Sequence, residues 1–161
     1  MQIRRFQGGE APALHRLRHD AIHQIAARDY TPQQIAAWAP ATIDAQAWAE
    51  KMAANRPFIA EMDGQIVGFA DVQPSGYIDY FFVSAEHPRQ GIGNALMARL
   101  HEEAARQGMA TLTSDVSRTA QPFFLHHGFA IVEQRQPVRQ GVVVPNAFMR
   151  KHLQAPTVPA A

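Results

Sequence analysis

The chain has 161 residues, of which 47% are hydrophobic and 18% charged, so it suits one domain with a full core and is too apolar to remain disordered. Fifteen Lys and Arg against fourteen Asp and Glu leave a formal charge of +1, which gives no electrostatic grip on nucleic acid or on an anionic membrane. With no Cys, disulfides, thiolate metal sites, Fe–S clusters and a Cys nucleophile are excluded together. There is no apolar run of about 18 residues to span a bilayer, and Met1 to Phe6 lacks the apolar core of a signal peptide. The expected location is cytoplasmic.

Residues 2–7 read as a short strand closed by Gly8-Gly9. Residues 10–28 read as a helix, with Leu14, Leu17, Ala21 and Ile25 on one side. Thr31-Pro32-Gln33-Gln34 carries a helix start, because Thr31 can cap, Pro32 suits the first position and Gln34 completes a capping box. A further helix follows Asp44 and ends near Asn55. The pattern then changes. Phe58–Met62, Asp63-Gly64 and Gln65–Ala70 form a hairpin about an Asp-Gly turn. After Pro74-Ser75-Gly76, the aromatic and β-branched run Tyr77–Val83 reads as one continuous third strand of an antiparallel meander.

A glycine-containing loop leads into a helix over 91–107, with Leu96, Leu100 and Ala104 on its apolar side and Gly108 as its stop. A strand near 110–116, a helix near 119–127 and strands near 129–137 and 142–150 follow. This order predicts a single α/β domain over 1–153, with a mixed, mostly antiparallel sheet of about six to seven strands flanked by helices. The tail 154–161 is rich in Pro and Ala and has no core-forming pattern.

The segment Pro88-Arg89-Gln90-Gly91-Ile92-Gly93-Asn94-Ala95-Leu96 is the most informative. A strand enters a turn with two Gly, and the turn opens a helix. Such a turn exposes successive backbone N–H groups to an anion, and the helix dipole favours negative charge there. A structural turn is the plain alternative. A Walker loop needs G-K-[ST], which is absent. A dinucleotide fingerprint needs Gly where Leu96 stands and would open the fold rather than follow a meander, although Asp115 has the spacing of a ribose-binding acid. A coenzyme A site is the third reading.

Phe82-Val83 followed by Arg89-Gln90-Gly91-Ile92-Gly93-Asn94-Ala95-Leu96 resembles the acetyl-CoA motif of the GNAT superfamily of N-acetyltransferases. Ser117, Ala120, Phe123-Phe124 and Gly128-Phe129 fall at that family's downstream spacing. The resemblance spans roughly residues 2–152, and Gln134, Gly141 and Met149-Arg150-Lys151 resemble the ending of a small bacterial branch. It implies acetyl-CoA as acyl donor, no metal, and a small-molecule or peptide amine as acceptor. It also implies that the strand Phe81-Phe82-Val83 pairs with the pantetheine arm. The backbone of Arg89, Gln90, Gly91, Ile92, Gly93 and Asn94 would hold the pyrophosphate, with Ser117 and Phe124 also beside the cofactor. Two positions depart from the family. Pro88 has no N–H to donate. Phe124 stands where the family's usual Tyr, the proposed acid for the leaving thiolate, is found.

Acetyl transfer requires an unprotonated amine, and a free alkylamine with a pKa of about 10 is mostly protonated at pH 7. A base must take that proton, directly or through water. Asp79 is the favoured base, because a regular strand puts it on the face of Val83, four residues on. Tyr77 shares that face. Tyr80 faces the other way unless a bulge intervenes, and ranks lower. Each also reads as an ordinary strand residue. The backbone N–H of Val83 is the natural donor to the developing oxyanion. Without Cys, direct transfer in a ternary complex is favoured over an acyl-enzyme.

His15, His19 and His23 repeat at a spacing that can hold a metal, but more simply form a polar helix side. His19, His23, Tyr30 and Trp38 are candidate acceptor contacts. The rival readings are a non-catalytic acyl-CoA-binding domain, which Phe124 would suit, and a dinucleotide-binding module. Acceptor identity and oligomeric state, a homodimer included, stay open.

Overall fold

A computed structural model describes residues 1–154. The tail from 155 onward lies outside the described residues. The chain opens with β1 (Gln2–Arg5), α1 (Ala11–Gln24), a 3₁₀ turn (Ala26–Arg28), α2 (Pro32–Trp38) and α3 (Ala45–Asn55). Then come β2 (Phe58–Met62), β3 (Gln65–Ala70), β4 (Tyr77–Ile78), β5 (Phe81–Val83) and α4 (Ile92–Arg106). β6 (Thr111–Ser117), α5 (Gln121–His126), β7 (Ala130–Arg135), β8 (Val138–Arg139), β9 (Val142–Val143) and β10 (Asn146–His152) complete it.

Local chemistry sets most of these boundaries. The Thr31 hydroxyl accepts the Gln34 N–H at 3.2 Å while the Gln34 side chain accepts the Thr31 N–H at 2.9 Å, so the capping box is complete. Asp44 caps α3 by accepting the Ala47 N–H at 3.0 Å. Asp63 and Gly64, at φ 50° and 74°, make the β2–β3 turn.

Two four-stranded sheets run in the orders β1-β2-β3-β5 and β4-β6-β10-β7, and β8-β9 is a separate ribbon. The four-stranded sheets meet where β4 continues into β5, so the whole reads as seven positions. Among the described residues only β4 and β6 pair in parallel. On one side of the sheet, α4 buries Leu96, Leu100 and Ala104 against Val67, Ala70 and Leu112. On the other, Leu14 and Leu17 of α1 pack with Met52, Ile59 and Phe69.

Three expectations need correction. The first helix ends at Gln24, and its deepest stripe uses Ile22, 1% exposed, rather than Ile25. The last two strands are shorter at their facing ends, because Pro137 and Pro145 bracket the β8–β9 ribbon and Pro cannot donate to a ladder. The expected strand Tyr77–Val83 is two strands belonging to different sheets.

Candidate active site

The break in that strand has a local cause. The Asp71 N–H donates to Tyr80 O at 3.1 Å, and the Gln73 N–H donates to Tyr77 O at 2.9 Å. The three-residue step from Tyr77 to Tyr80 is thus matched by a two-residue step from Gln73 to Asp71 on the facing segment, which is a β-bulge. The Asp71 carboxylate holds it by accepting the N–H of Asp79 at 2.9 Å and of Tyr80 at 3.2 Å. Side-chain amides of Asn55 and Gln73 donate to the same carboxylate, each at 3.2 Å. Asp71 is fully buried, and burial pushes its pKa up to about 6.

The bulge flips the alternation of side chains. Ile78, Phe81 and Val83 turn to the α4 side, whereas Tyr80 and Phe82 join the α1 side. Asp79 and Val83 therefore do not share a face, contrary to the regular-strand expectation, and Tyr80 does enter the site.

β6 pairs with β4 as far as Ile78 but not with β5, and a cleft opens between β5 and β6. The Ser84 N–H donates to Val67 O at 2.8 Å, so the antiparallel alternation turns the N–H and C=O of Phe81 and Val83 away from β3 and toward this cleft. The cleft holds an apolar cavity of about 260 Å³, lined by Ile22, Phe81, Val83, Gly93, Phe123 and Phe124 among others. Its outer end is the glycine loop. Arg89 and Gly91 have φ of 58° and 73°, and Gly91 is the N-cap of α4 with no side chain to cap it. Arg89, Gln90 and Gly91 make no backbone N–H bond within the described residues. An apolar slot with one free strand edge and a nest of amide donors suits a long chain ending in phosphates.

On the other side lies a polar cavity of about 530 Å³. Its walls include Arg18, Tyr30, Tyr77, Asp79, Tyr80, Asp115, Arg135 and Asn146. Trp38, Phe82 and Ser117 line both cavities. Asp79 is paired with Lys51 at 3.0 Å and accepts from Asn55 at 3.0 Å. Asp115 accepts from the Tyr77 hydroxyl at 2.8 Å and pairs with Arg135 at 3.0 Å. Burial, then this bond, push the Tyr77 pKa up, and burial does the same for Tyr80. Both phenols therefore keep their protons at neutral pH.

A family model described as an acetyltransferase (GNAT) domain matches residues 26–152. The uncharacterized N-acetyltransferase YafP of Escherichia coli (strain K12) is 37% identical over 150 residues, covering 93% of this chain and 95% of that protein. The chain belongs to the GNAT acetyltransferases. A GCN5-related N-acetyltransferase from Rhodopseudomonas palustris superposes with a TM-score of 0.90 at 28% identity, over 94% of this chain and 95% of that one. The structure of yncA from Salmonella typhimurium with its cofactor acetyl-CoA has the same fold, with a TM-score of 0.70 at 23% identity over 100% of this chain and 98% of that one.

This acetyltransferase takes acetyl-CoA as its donor, and the chemistry of the cleft fits that molecule. The site residues anticipated from sequence fall in three groups. Phe81, Phe82, Val83, Gly93, Ser117 and Phe124 line the cleft. Arg89, Gln90, Gly91, Ile92 and Asn94 do not line the cleft but flank Gly93, which does, along the turn that opens α4. The Ile92 side chain is buried in the core. The Asn94 amide oxygen accepts from His127 Nε2 at 3.0 Å. Tyr77, Asp79 and Tyr80 line the other cavity.

Gly93 differs in detail from the expected phosphate approach: a Cβ there would sit 3.2 Å from the Phe123 ring. The glycine keeps the slot open beside Phe123. Tyr30 and Trp38 reach the polar cavity, and His19 and His23 do not. They stack on each other at 4.0 Å, and the His23 ring bonds to Ala39 O at 2.8 Å. Among the described residues no group of three metal-ligating side chains converges, and no helix is long and apolar enough to cross a membrane.

Sequence reasoning missed Asp71, Lys51 and Arg18. Only Asp71 had a signal: a lone acid ending the apolar run Gln65–Ala70.

Proposed function

We propose that the acetyltransferase moves the acetyl group directly from the donor to a small amine within a ternary complex. The observation that carries this reading is the wall shared by the two cavities: Trp38, Phe82 and Ser117 border the apolar cleft and the polar cavity alike. Donor and acceptor can thus occupy opposite sides of one junction without an enzyme-bound acyl group. Acetyl-CoA supplies the activated acyl group: a C–N bond forms, the C–S bond breaks, the amine gives up one proton and the thiolate takes one.

The residues of the chain divide the remaining work. The N–H groups of Arg89 to Asn94 hold the pyrophosphate, and the free edge of Phe81 and Val83 aligns the pantetheine. The Val83 N–H donates to the acetyl oxygen as charge develops on it. Asp79, fixed by Lys51 and Asn55, receives the ammonium proton through water. The protonated Tyr80 hydroxyl, which makes no bond within the described residues, returns a proton toward the thiolate through the same solvent. Thiolate near an ordinary thiol pKa of about 8.5 leaves readily, so Phe124 does not block turnover.

The test is CoA thiol release from acetyl-CoA with amines, aminoglycosides and peptides, including initial-rate patterns. Intersecting lines support a ternary complex. Parallel lines, or acyl-enzyme trapped without an acceptor, overturn direct transfer.

A further inference from the structure

Five charged side chains line the polar cavity, and their pairing is uneven. Asp79 is neutralised by Lys51 and Asp115 by Arg135, each at 3.0 Å. Arg18 and Arg139 have no acidic partner among the described residues.

Arg18 is the more constrained. It projects from α1 into a box of rings, with its guanidinium carbon 5.9 Å from the Trp48 centroid, 5.9 Å from Tyr80 and 5.6 Å from Phe82. Its Nε is buried with no hydrogen-bond partner. A buried Nε–H without an acceptor is costly, and proteins seldom keep one unless something else completes it. Only one other described buried side-chain atom lacks a partner, the Asn146 amide oxygen, and it lines the same cavity. Asn146 sits opposite Ser117 in the β10–β6 register, beside the junction of the two cavities.

We infer that the acceptor is a small amine carrying a carboxylate a few bonds from its nitrogen, with the carboxylate on Arg18 and the amine N–H donated to Asn146. This rests on the N-acetyltransferase reading of the same cavity. The placement follows from the walls: Asn146 pairs in register with Ser117, and Arg18 lies 5.6 Å from the Phe82 ring, so the two groups flank different residues of the transfer junction. Arg fits better than Lys because its planar fork can bind both carboxylate oxygens while it lies flat on aromatic faces. The second free cation, Arg139, gives the carboxylate end a positive wall.

The test compares phenylalanine with phenylalaninamide and phenethylamine, and glutamate with its diamide, with rates referred to the unprotonated amine. The expected result is a kcat/KM at least tenfold higher for each carboxylate. Arg18→Gln should erase that preference and leave KM for acetyl-CoA unchanged. Equal rates across each set, or an Arg18→Gln variant that keeps the preference, overturns the inference.

A second arm does not need turnover: N-acetylphenylalanine and its amide are titrated into the protein with CoA present. Tighter binding of the carboxylate, lost in Arg18→Gln, supports the anion site even if no amine is acetylated, a result that would instead defeat the N-acetyltransferase reading. Equal binding of the two products overturns it. Arg18→Met guards against a structural explanation. Removing a part-buried charge whose Nε has no partner should leave Tm the same or higher, whereas a large fall in Tm with intact carboxylate preference makes Arg18 a packing residue.

Discussion

Asp71 accepts the backbone N–H of Asp79 at 2.9 Å, at the position where strand pairing slips by one residue. The cleft begins beyond that slip. Because Asp71 is fully buried with a pKa pushed up to about 6, between about pH 4 and 6 the folded chain retains a proton there that the unfolded chain has lost. A raised carboxyl pKa makes stability fall as pH rises from about 4 to 6, by about 2–3 kcal/mol. At pH 4 the protonated Asp71 has one O–H whose oxygen can still accept, whereas Asp71→Asn sets an NH2 that only donates among groups that are themselves donors, so it should destabilise by about 1–3 kcal/mol. Urea unfolding should show the gap between wild type and variant narrowing by pH 7. A gap equal at both pH values would remove Asp71 from this role.

Asp79 lies in the polar cavity and outside the cofactor cleft. Asp79→Asn should lower kcat by roughly 10²–10⁴-fold while the CoA dissociation constant holds. Near wild-type turnover on a good acceptor would leave Asp79 as a mere partner of Lys51.

At Gly93 the substituent would meet the Phe123 ring at 3.2 Å, inside the slot. Gly93→Val should weaken acetyl-CoA binding at least tenfold, about 1.4 kcal/mol, by calorimetric titration. An unchanged affinity in a folded variant would exclude the cleft as the cofactor site.

Phe124 is 2% exposed and packs against Phe81 at 5.8 Å and Phe129 at 5.0 Å between ring centroids. Phe124→Ala should cost about 3–5 kcal/mol of stability. Phe124→Tyr should cost less and change kcat modestly, because the ring also borders the cleft, where the added hydroxyl can be solvated or bonded. Thermal unfolding with steady-state rates checks the ranking. A tyrosine variant less stable than the alanine variant would show that the ring's edge never reaches the cleft.

Glu103 joins α4 to β1. It bonds Arg106 and Gln107 and pairs with Arg5 at 3.1 Å. The Arg106 bond is the main reason its pKa falls to about 2. A lowered carboxyl pKa gives stability that is complete above about 4.5 and lost as pH falls toward 2. Glu103→Gln should therefore lose less stability than wild type between pH 5 and 3 in acid-unfolding curves.

Sequence alone determined the local elements whose causes lie within a few residues. The Thr31 capping box, the Asp44 cap, the Asp63-Gly64 hairpin, the α4 stripe of Leu96, Leu100 and Ala104, and the glycine loop all depend on short-range hydrogen bonding and periodicity. The family resemblance extended these to a fold and a donor. Tertiary structure decided the acceptor side. The bulge at Asp79 depends on the carboxylate of Asp71, eight residues earlier on a facing segment, so period-two reasoning put Asp79 on the wrong face. The isolation of Arg18 depends on which acids find other cations: Lys51 takes Asp79, and Arg135 takes Asp115. A net charge of +1 for the whole chain says nothing about such pairings. They are settled by distances of about 3 Å between groups far apart in sequence, where Coulomb and hydrogen-bond energies become decisive.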